Sequence, residues 1–173
     1  LTLVEERYNI ALKLRSDIKE HIPFLSAFAR GNILEFGVRD GISTAAFLYG
    51  IERQGGILWS VDKNPECGKL FSGHPLWRFI QADSCDVTRI IDLGLPGKLD
   101  IVFLDTEHDY EHVSNELTSW HTMVDMDGMI LVHDVIEYGQ AAGRACEDFS
   151  KCYGWNYVIR PGSNGLGILN RRM

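Results

Sequence analysis

The stretch Ile33-Leu34-Glu35-Phe36-Gly37-Val38-Arg39-Asp40-Gly41-Ile42-Ser43-Thr44 decides the fold. An apolar run carries one acid and closes on a glycine. A second glycine follows four residues later, and Ser-Thr then opens a helical pattern. That order reads as a strand, a backbone cradle and a helix N-terminus. Gly37 and Gly41 let the chain take positive φ and approach a ligand closely. The helix beginning near Ser43 offers unpaired N–H groups and a positive dipole end, suited to a carboxylate or phosphate. The next apolar run, Ile57–Val61, ends in Asp62. A carboxylate there can accept hydrogen bonds from ribose hydroxyls. Together these features point to a nucleoside-containing cofactor. The dinucleotide pattern G-x-G-x-x-G fails, because its third and sixth positions are Arg39 and Ile42. No G-x-x-x-x-G-K followed by Ser or Thr occurs either, so a pyrophosphate ligand is disfavoured.

Outward from this stretch, strand-like runs at 32–37, 57–62, 77–81, 99–105 and 128–133 alternate with helical or mixed segments at about 43–53, 65–72, 85–93 and 110–124. This alternation indicates an α/β domain whose parallel sheet is covered by helices on both faces. Upstream, Leu3, Ile10, Leu14, Ile18 and Ile22 recur at roughly helical spacing. They predict a leading helix broken at Pro23, then a short helix over Phe24–Ala29 stopped at Gly31. Downstream, a helix over 138–152 leads to Trp155–Arg160 and Leu166–Asn170. Pro161-Gly162-Ser163-Asn164-Gly165 joins these two runs as a hairpin. The last strand is therefore expected to run antiparallel. No repeat or linker interrupts the chain, so residues 1–173 read as one domain. Residues 31–173 form its cofactor-binding core, and residues 1–30 read as a lid or dimer-forming element. Phe103, Trp120 and Met129 read as core.

The 173 residues are 45% hydrophobic and 24% charged, the balance of a soluble globular domain. The net charge of −7 argues against nucleic acid as the main partner, since phosphate backbones demand clustered Lys and Arg. No apolar run approaches the roughly 20 residues needed to span a bilayer. Glu5, Glu6 and Arg7 interrupt any signal-like segment at the start of the sequence. Cys67, Cys85, Cys146 and Cys152 lack metal-site spacing and read as reduced thiols. A cytoplasmic location is expected.

The combination Glu35-x-Gly37-x-x-x-Gly41-x-Ser43, Asp62 and Gln81-Ala82-Asp83-Ser84 resembles the class I S-adenosylmethionine-dependent methyltransferases. The Leu99–Asp105 run with His108 and Tyr110, followed by Asp127–Asp134, is similar to a narrower branch. That branch holds the small-molecule O-methyltransferases of the catechol, antibiotic-tailoring and sugar-modifying kinds. The resemblance covers residues 31–170. It implies a Rossmann-like doubly wound sheet of seven strands, mostly parallel, with the last antiparallel. It implies S-adenosylmethionine as cofactor and a small-molecule hydroxyl as acceptor. Under it, Gly37 and Gly41 flank the methionine part and Glu35 organises the loop through backbone N–H groups. Asp62 binds the ribose and Asp83 the adenine amino group, with Ala82 beside the ring and Asp105 also at the cofactor. Ser43 is either a helix cap or a contact to the methionine carboxylate.

An oxygen acceptor is a poor nucleophile until deprotonated, by a general base or by a divalent ion that lowers its pKa. Asp105, His108, His133 and Asp134 fall at the ends of the fourth and fifth strands, where such chemistry belongs. By resemblance Asp105, His133 and Asp134 are metal ligands for Mg²⁺ or Mn²⁺. The histidine is foreign to magnesium, which prefers oxygen; it tilts the site toward manganese, iron or zinc, or else His133 points away or serves the substrate. His108 stands where the catechol branch has a catalytic lysine. It reads as general base, as substrate contact, as ligand, or as part of a loop brace in which Asp105 caps the helix. Two other readings compete: a binding module of the same fold without chemistry, and a nicotinamide-dependent oxidoreductase. The failed dinucleotide pattern and the terminal hairpin argue against the second.

Overall fold

The computed structural model describes residues 1–171. Seven strands form one sheet: β1 Gly31–Phe36, β2 Gly56–Asp62, β3 Trp77–Gln81, β4 Leu99–Leu104, β5 Val124–His133, β6 Trp155–Arg160 and β7 Leu166–Arg171. Their spatial order is β3-β2-β1-β4-β5-β7-β6. β1 pairs in parallel with both β2 and β4, and β5 continues in parallel from β4. β7 inserts between β5 and β6 and is antiparallel to both. The sheet is thus the doubly wound one expected, with the hairpin's second strand as the reversed member. After β1 the chain builds outward through β2 and β3, then returns to lay β4 on the other side of β1. Strand order reverses between β1 and β4, and the crevice beyond their carboxyl ends is the ligand position of such sheets.

Residue parity along β1 sorts the core. Leu34 and Phe36 face one layer, where Phe36 packs on Trp120 with ring centroids 5.0 Å apart. That layer is built by α4 (Val87–Asp92), α5 (Tyr110–Trp120) and α6 (Ala141–Tyr153). Ile33 faces the opposite layer, where Phe47 meets Phe103 at 5.4 Å. This second layer is built by α1 (Leu3–Ala11), α2 (Ile22–Phe28) and α3 (Ile42–Gln54).

The leading helix departs from expectation. α1 begins at a Thr2–Glu5 capping box and ends at Ala11, far short of Pro23. Its buried stripe is Val4, Tyr8 and Ala11, whereas Leu3, Ile10 and Leu14 are 50%, 54% and 46% exposed. Of the five apolar residues counted in the sequence, these three lie on the outer side, while Ile18 and Ile22, beyond α1, are buried. Pro23 does not break a helix; it lies in the first turn of α2, where its missing N–H removes no helical bond. β5 also starts earlier than its apolar run, at Val124, through a register shift against β4.

Trp120 is fully buried, and its indole Nε1 donates to the Ser84 carbonyl at 2.9 Å. Trp120→Ala removes a large core side chain and leaves that carbonyl unpaired. The loss expected in urea unfolding is about 3–5 kcal/mol.

Candidate active site

The cradle is shaped by backbone proximity. Gly37 has φ 85°, and a Cβ there would lie 1.9 Å from the Asp105 carbonyl oxygen. The Asp105 N–H donates to the Phe36 carbonyl at 3.0 Å, so β1 and β4 stay joined to the point where the loop leaves. Any side chain at 37 would force them apart. Gly41, at φ 74°, is the N-cap of α3, which starts at Ile42. Ser43 is therefore inside the helix and is not its cap. Arg39 takes φ 46°, a left-handed conformation that costs a non-glycine residue roughly 1–2 kcal/mol.

Glu35 is fully buried and gathers hydroxyls rather than backbone N–H groups. It accepts from Ser43 Oγ at 2.6 Å, Thr44 Oγ1 at 2.8 Å and Ser60 Oγ at 2.6 Å. Ser60 in turn accepts from Trp77 Nε1 at 2.9 Å. Burial pushes the Glu35 carboxyl up to about 7, against the pull of the three hydroxyls. The loop-organising role expected of Glu35 falls to Asp62. Its carboxylate accepts from the N–H groups of Val38 at 2.8 Å, Arg39 at 3.2 Å and Asn64 at 2.8 Å. Burial would raise Asp62, but these N–H donors outweigh it and hold the carboxyl low.

Two cavities meet at this loop. One, of about 380 Å³, lies between residues 14–18 and the cradle, with Gly37, Ser43 and Asp105 in its walls. The other, of about 200 Å³, is lined by Asp62, Ala82, Ser84, Thr106 and His112. Gly37, Arg39 and Asp105 border both. Asp83, between Ala82 and Ser84, turns away to pair with Lys63 Nζ at 2.9 Å and to accept from the Cys85 N–H. His112 borders the second cavity. Its Nε2 lies 3.1 Å from buried Glu116, which raises the imidazole pKa.

At the neighbouring strand ends the acids and histidines form one network. His108 Nε2 lies 3.0 Å from Asp134 Oδ2. Burial alone would lower His108, but the Asp134 hydrogen bond and the nearby carboxylates raise it. Asp134 sits at φ 60°, and hydrogen bonds from His108 and His133 pull its carboxyl well below the usual range despite burial. His133 corrects the sequence reading. Its Nδ1 faces Asp105 Oδ1 at 3.2 Å and Asp134 Oδ1 at 3.4 Å, and its Nε2 faces the carbonyls of Ser163 at 3.0 Å and Asp17 at 3.2 Å. Both nitrogens face oxygens that can only accept, so in this arrangement the ring donates from both sides. Burial opposes its charge, yet the two carboxylates push its pKa to about 10. Among the described residues the group with metal-ligand spacing is Asp105, His108 and Asp134, whose donor atoms lie within 4.8 Å of one another. Asp105 does not cap α5; Asp109 does, accepting from the His112 N–H at 2.9 Å.

A family model described as a methyltransferase domain matches residues 34–135. No curated protein matches the sequence. Among solved structures, the chain is similar to the SAH-bound methyltransferase PaMTH1 of Podospora anserina, at 15% identity and TM-score 0.71. That match covers 100% of this chain and 89% of the other. It is similar to an O-methyltransferase from Bacillus cereus in complex with SAH, at 15% identity and TM-score 0.72, covering 98% and 90%. It is also similar to the MycE methyltransferase of the mycinamycin biosynthetic pathway, in complex with Mg and SAH. There the identity is 19% and the TM-score 0.67, with 98% of this chain and 55% of MycE covered.

Glu35 makes stability depend on pH. Its folded pKa of about 7 lies above the ordinary 4.5, so its contribution is complete below pH 4.5 and is lost as pH rises to about 7. Glu35→Gln removes that dependence. Relative to the wild type, the variant should gain on the order of 3 kcal/mol between pH 4.5 and 7.5 in urea unfolding. A difference that stays constant with pH would show that the carboxyl is not raised.

Proposed function

Because the chain belongs to the methyltransferase-domain family matched over residues 34–135, we propose that it transfers a methyl group from S-adenosylmethionine to a hydroxyl oxygen of a small molecule. The observation that carries this reading is convergence. Two cavities, one beside Asp62 and Ala82 and one beside Gly37 and Ser43, meet at Asp105, where the Asp105–His108–Asp134 group stands. The nucleoside end of the cofactor fits the first cavity and its methionine end the second. In this reading the sulfonium lies near Asp105. S-adenosylhomocysteine, the demethylated product, is what the Podospora and Bacillus structures hold in a similar fold.

In this reading His108 and Asp134 act as a pair. The Nε2–H of His108 donates to Asp134, which leaves Nδ1 with the lone pair that takes the acceptor's proton. Asp134 then stabilises the imidazolium. The acceptor oxygen forms its bond to the methyl carbon as the sulfur–carbon bond breaks, and the electron pair stays on sulfur. The donor set also fits a divalent cation. Asp134 Oδ1 is buried with only His133 Nδ1, 3.4 Å away, beside it, and Asp105 and Asp134 supply hard oxygens. Such an ion, Mg²⁺ or Mn²⁺, would lower the acceptor's pKa when bound. MycE, which has a similar fold, carries Mg. With an ion bound, Asp105, His108 and Asp134 would hold it, in place of the set that included His133, and the ion rather than His108 would then activate the acceptor.

A small-molecule acceptor accords with an acidic chain in which no helix among the described residues is long and apolar enough to cross a membrane. The four free thiols support a reducing, cytoplasm-like compartment. Family membership sets the nicotinamide reading aside. The reading without chemistry is tested directly.

Calorimetry should show the chain binding S-adenosylhomocysteine and not NAD; absence of S-adenosylhomocysteine binding overturns the cofactor assignment. Transfer of labelled methyl from S-adenosylmethionine to a panel of sugars, phenols and polyketide alcohols identifies the acceptor class. On that acceptor His108→Ala should slow transfer by about 10²–10⁴-fold while S-adenosylhomocysteine affinity stays within roughly twofold. For the ion, Mn²⁺ binding followed by electron paramagnetic resonance should be lost in Asp105→Asn and Asp134→Asn. Chelation that leaves the transfer rate unchanged would confine the chemistry to His108.

A further inference from the structure

Residues 12–18, between α1 and the short turn Lys19–His21, belong to no helix or strand. Both ends of the segment are fixed. On one side Tyr8 of α1 stacks on Tyr49 of α3 with centroids 3.9 Å apart. On the other, Ile18 and His21 are buried, and the Glu20 N–H donates to Ser163 Oγ at 3.0 Å. Between these anchors Leu14, Arg15, Ser16, Asp17 and Ile18 form one wall of the 380 Å³ cavity whose other wall is the cradle. The Ser16 hydroxyl is buried there without a partner. Asp17 touches both halves of the site. Its carbonyl accepts from His133 Nε2 at 3.2 Å, and its carboxylate pairs with Arg39 across the cavity at 3.5 Å.

We propose that residues 12–18 are a strap over the cofactor cavity and that the Arg39–Asp17 ion pair is the latch that holds it shut. The proposal rests on the reading that this cavity takes S-adenosylmethionine. A cofactor seated between the cradle and the segment is covered on that side, so its release requires the segment to yield. The two links to Asp17 differ in kind. The His133 bond is buried against the β6–β7 turn and belongs to the fixed frame. The Arg39 bond is exposed, with 69% of the arginine side chain and 37% of the aspartate accessible. It is therefore the joint that water and salt can open. Arg39 suits this duty because its backbone is held by the Asp62 carboxylate at 3.2 Å while its side chain stands largely in solvent. The site thus carries its own closing contact, made between two residues 22 positions apart in the sequence.

The test is the dissociation rate of S-adenosylhomocysteine from the full chain, measured by displacement with excess cofactor in stopped flow. Asp17→Asn and Arg39→Gln should each speed release by about 1.5- to 5-fold, the range of a partly exposed ion pair. The double variant should be no faster than either single one. Salt should speed release from the wild type and leave the variants unchanged. The exchanged pair Asp17→Arg with Arg39→Asp should restore slow release. Unaltered release rates, or single effects that multiply in the double variant, overturn the latch. Failure of the wild type to bind S-adenosylhomocysteine at all would instead overturn the cofactor reading on which the latch rests.

Discussion

The buried carboxyl of Glu35 is the contact on which the cradle depends. It sits mid-sheet on β1 and draws in Ser60 from β2 and Ser43 and Thr44 from the first turn of α3. Through Ser60 it reaches Trp77 on β3. Three strands and one helix are thereby registered on one group. Removing a carboxyl from water is costly, and the hydroxyls offset only part of that cost, which is why its pKa rises to about 7. What the contact secures is direction. The N-terminus of α3 is aimed over the end of β1, and the loop between them has to cross the gap in a few residues with left-handed turns at 37, 39 and 41.

The other half of the site is held by charge rather than by hydroxyls. His133 lies between two carboxylates on one side and two carbonyls on the other. As a buried double donor it fixes the carboxylates of Asp105 and Asp134. It also binds the strap at Asp17 and the hairpin turn at Ser163. One imidazole therefore joins β5, the end of β4, the leading segment and the last hairpin. Asp134 can remain ionised because His108 and His133 both donate to it, and His108 is oriented by the same bond. His108 and Asp105 are part-exposed at the edge of a network whose other members, Asp134 and His133, are buried.

Much of this was legible in the sequence because it is local. Each strand was marked by an apolar run, the reversed last strand by Gly162 and Gly165 between two short runs, and the turn from β1 into α3 by Gly37 and Gly41. Local pattern misled where an element has two apolar faces. Leu3, Ile10 and Leu14 keep helical spacing but lie outside, since Val4, Tyr8 and Ala11 fill the space against α3. The site's wiring was not legible, because it runs between distant positions. Nothing near His133 announces that Asp17, 116 residues away, occupies its second nitrogen. Nothing near Asp83 announces that it pairs with Lys63. Residue type supplied the candidates, and only the fold could assign their partners.

Arg39 shows how a departure from a motif becomes part of the design. A glycine at this position would allow the left-handed turn at no steric cost. Arginine makes the same turn, at φ 46°, with its N–H on Asp62 and its carbonyl receiving the Cys67 thiol at 3.5 Å. The loop can therefore still present its backbone to a ligand, as the cradle requires. The side chain, however, projects toward the strap and meets Asp17. A pyrophosphate would need that space clear of a side chain, while a methionine moiety lying along the cavity would be enclosed by it. The residue that breaks the dinucleotide pattern is thus also the one whose side chain crosses to Asp17.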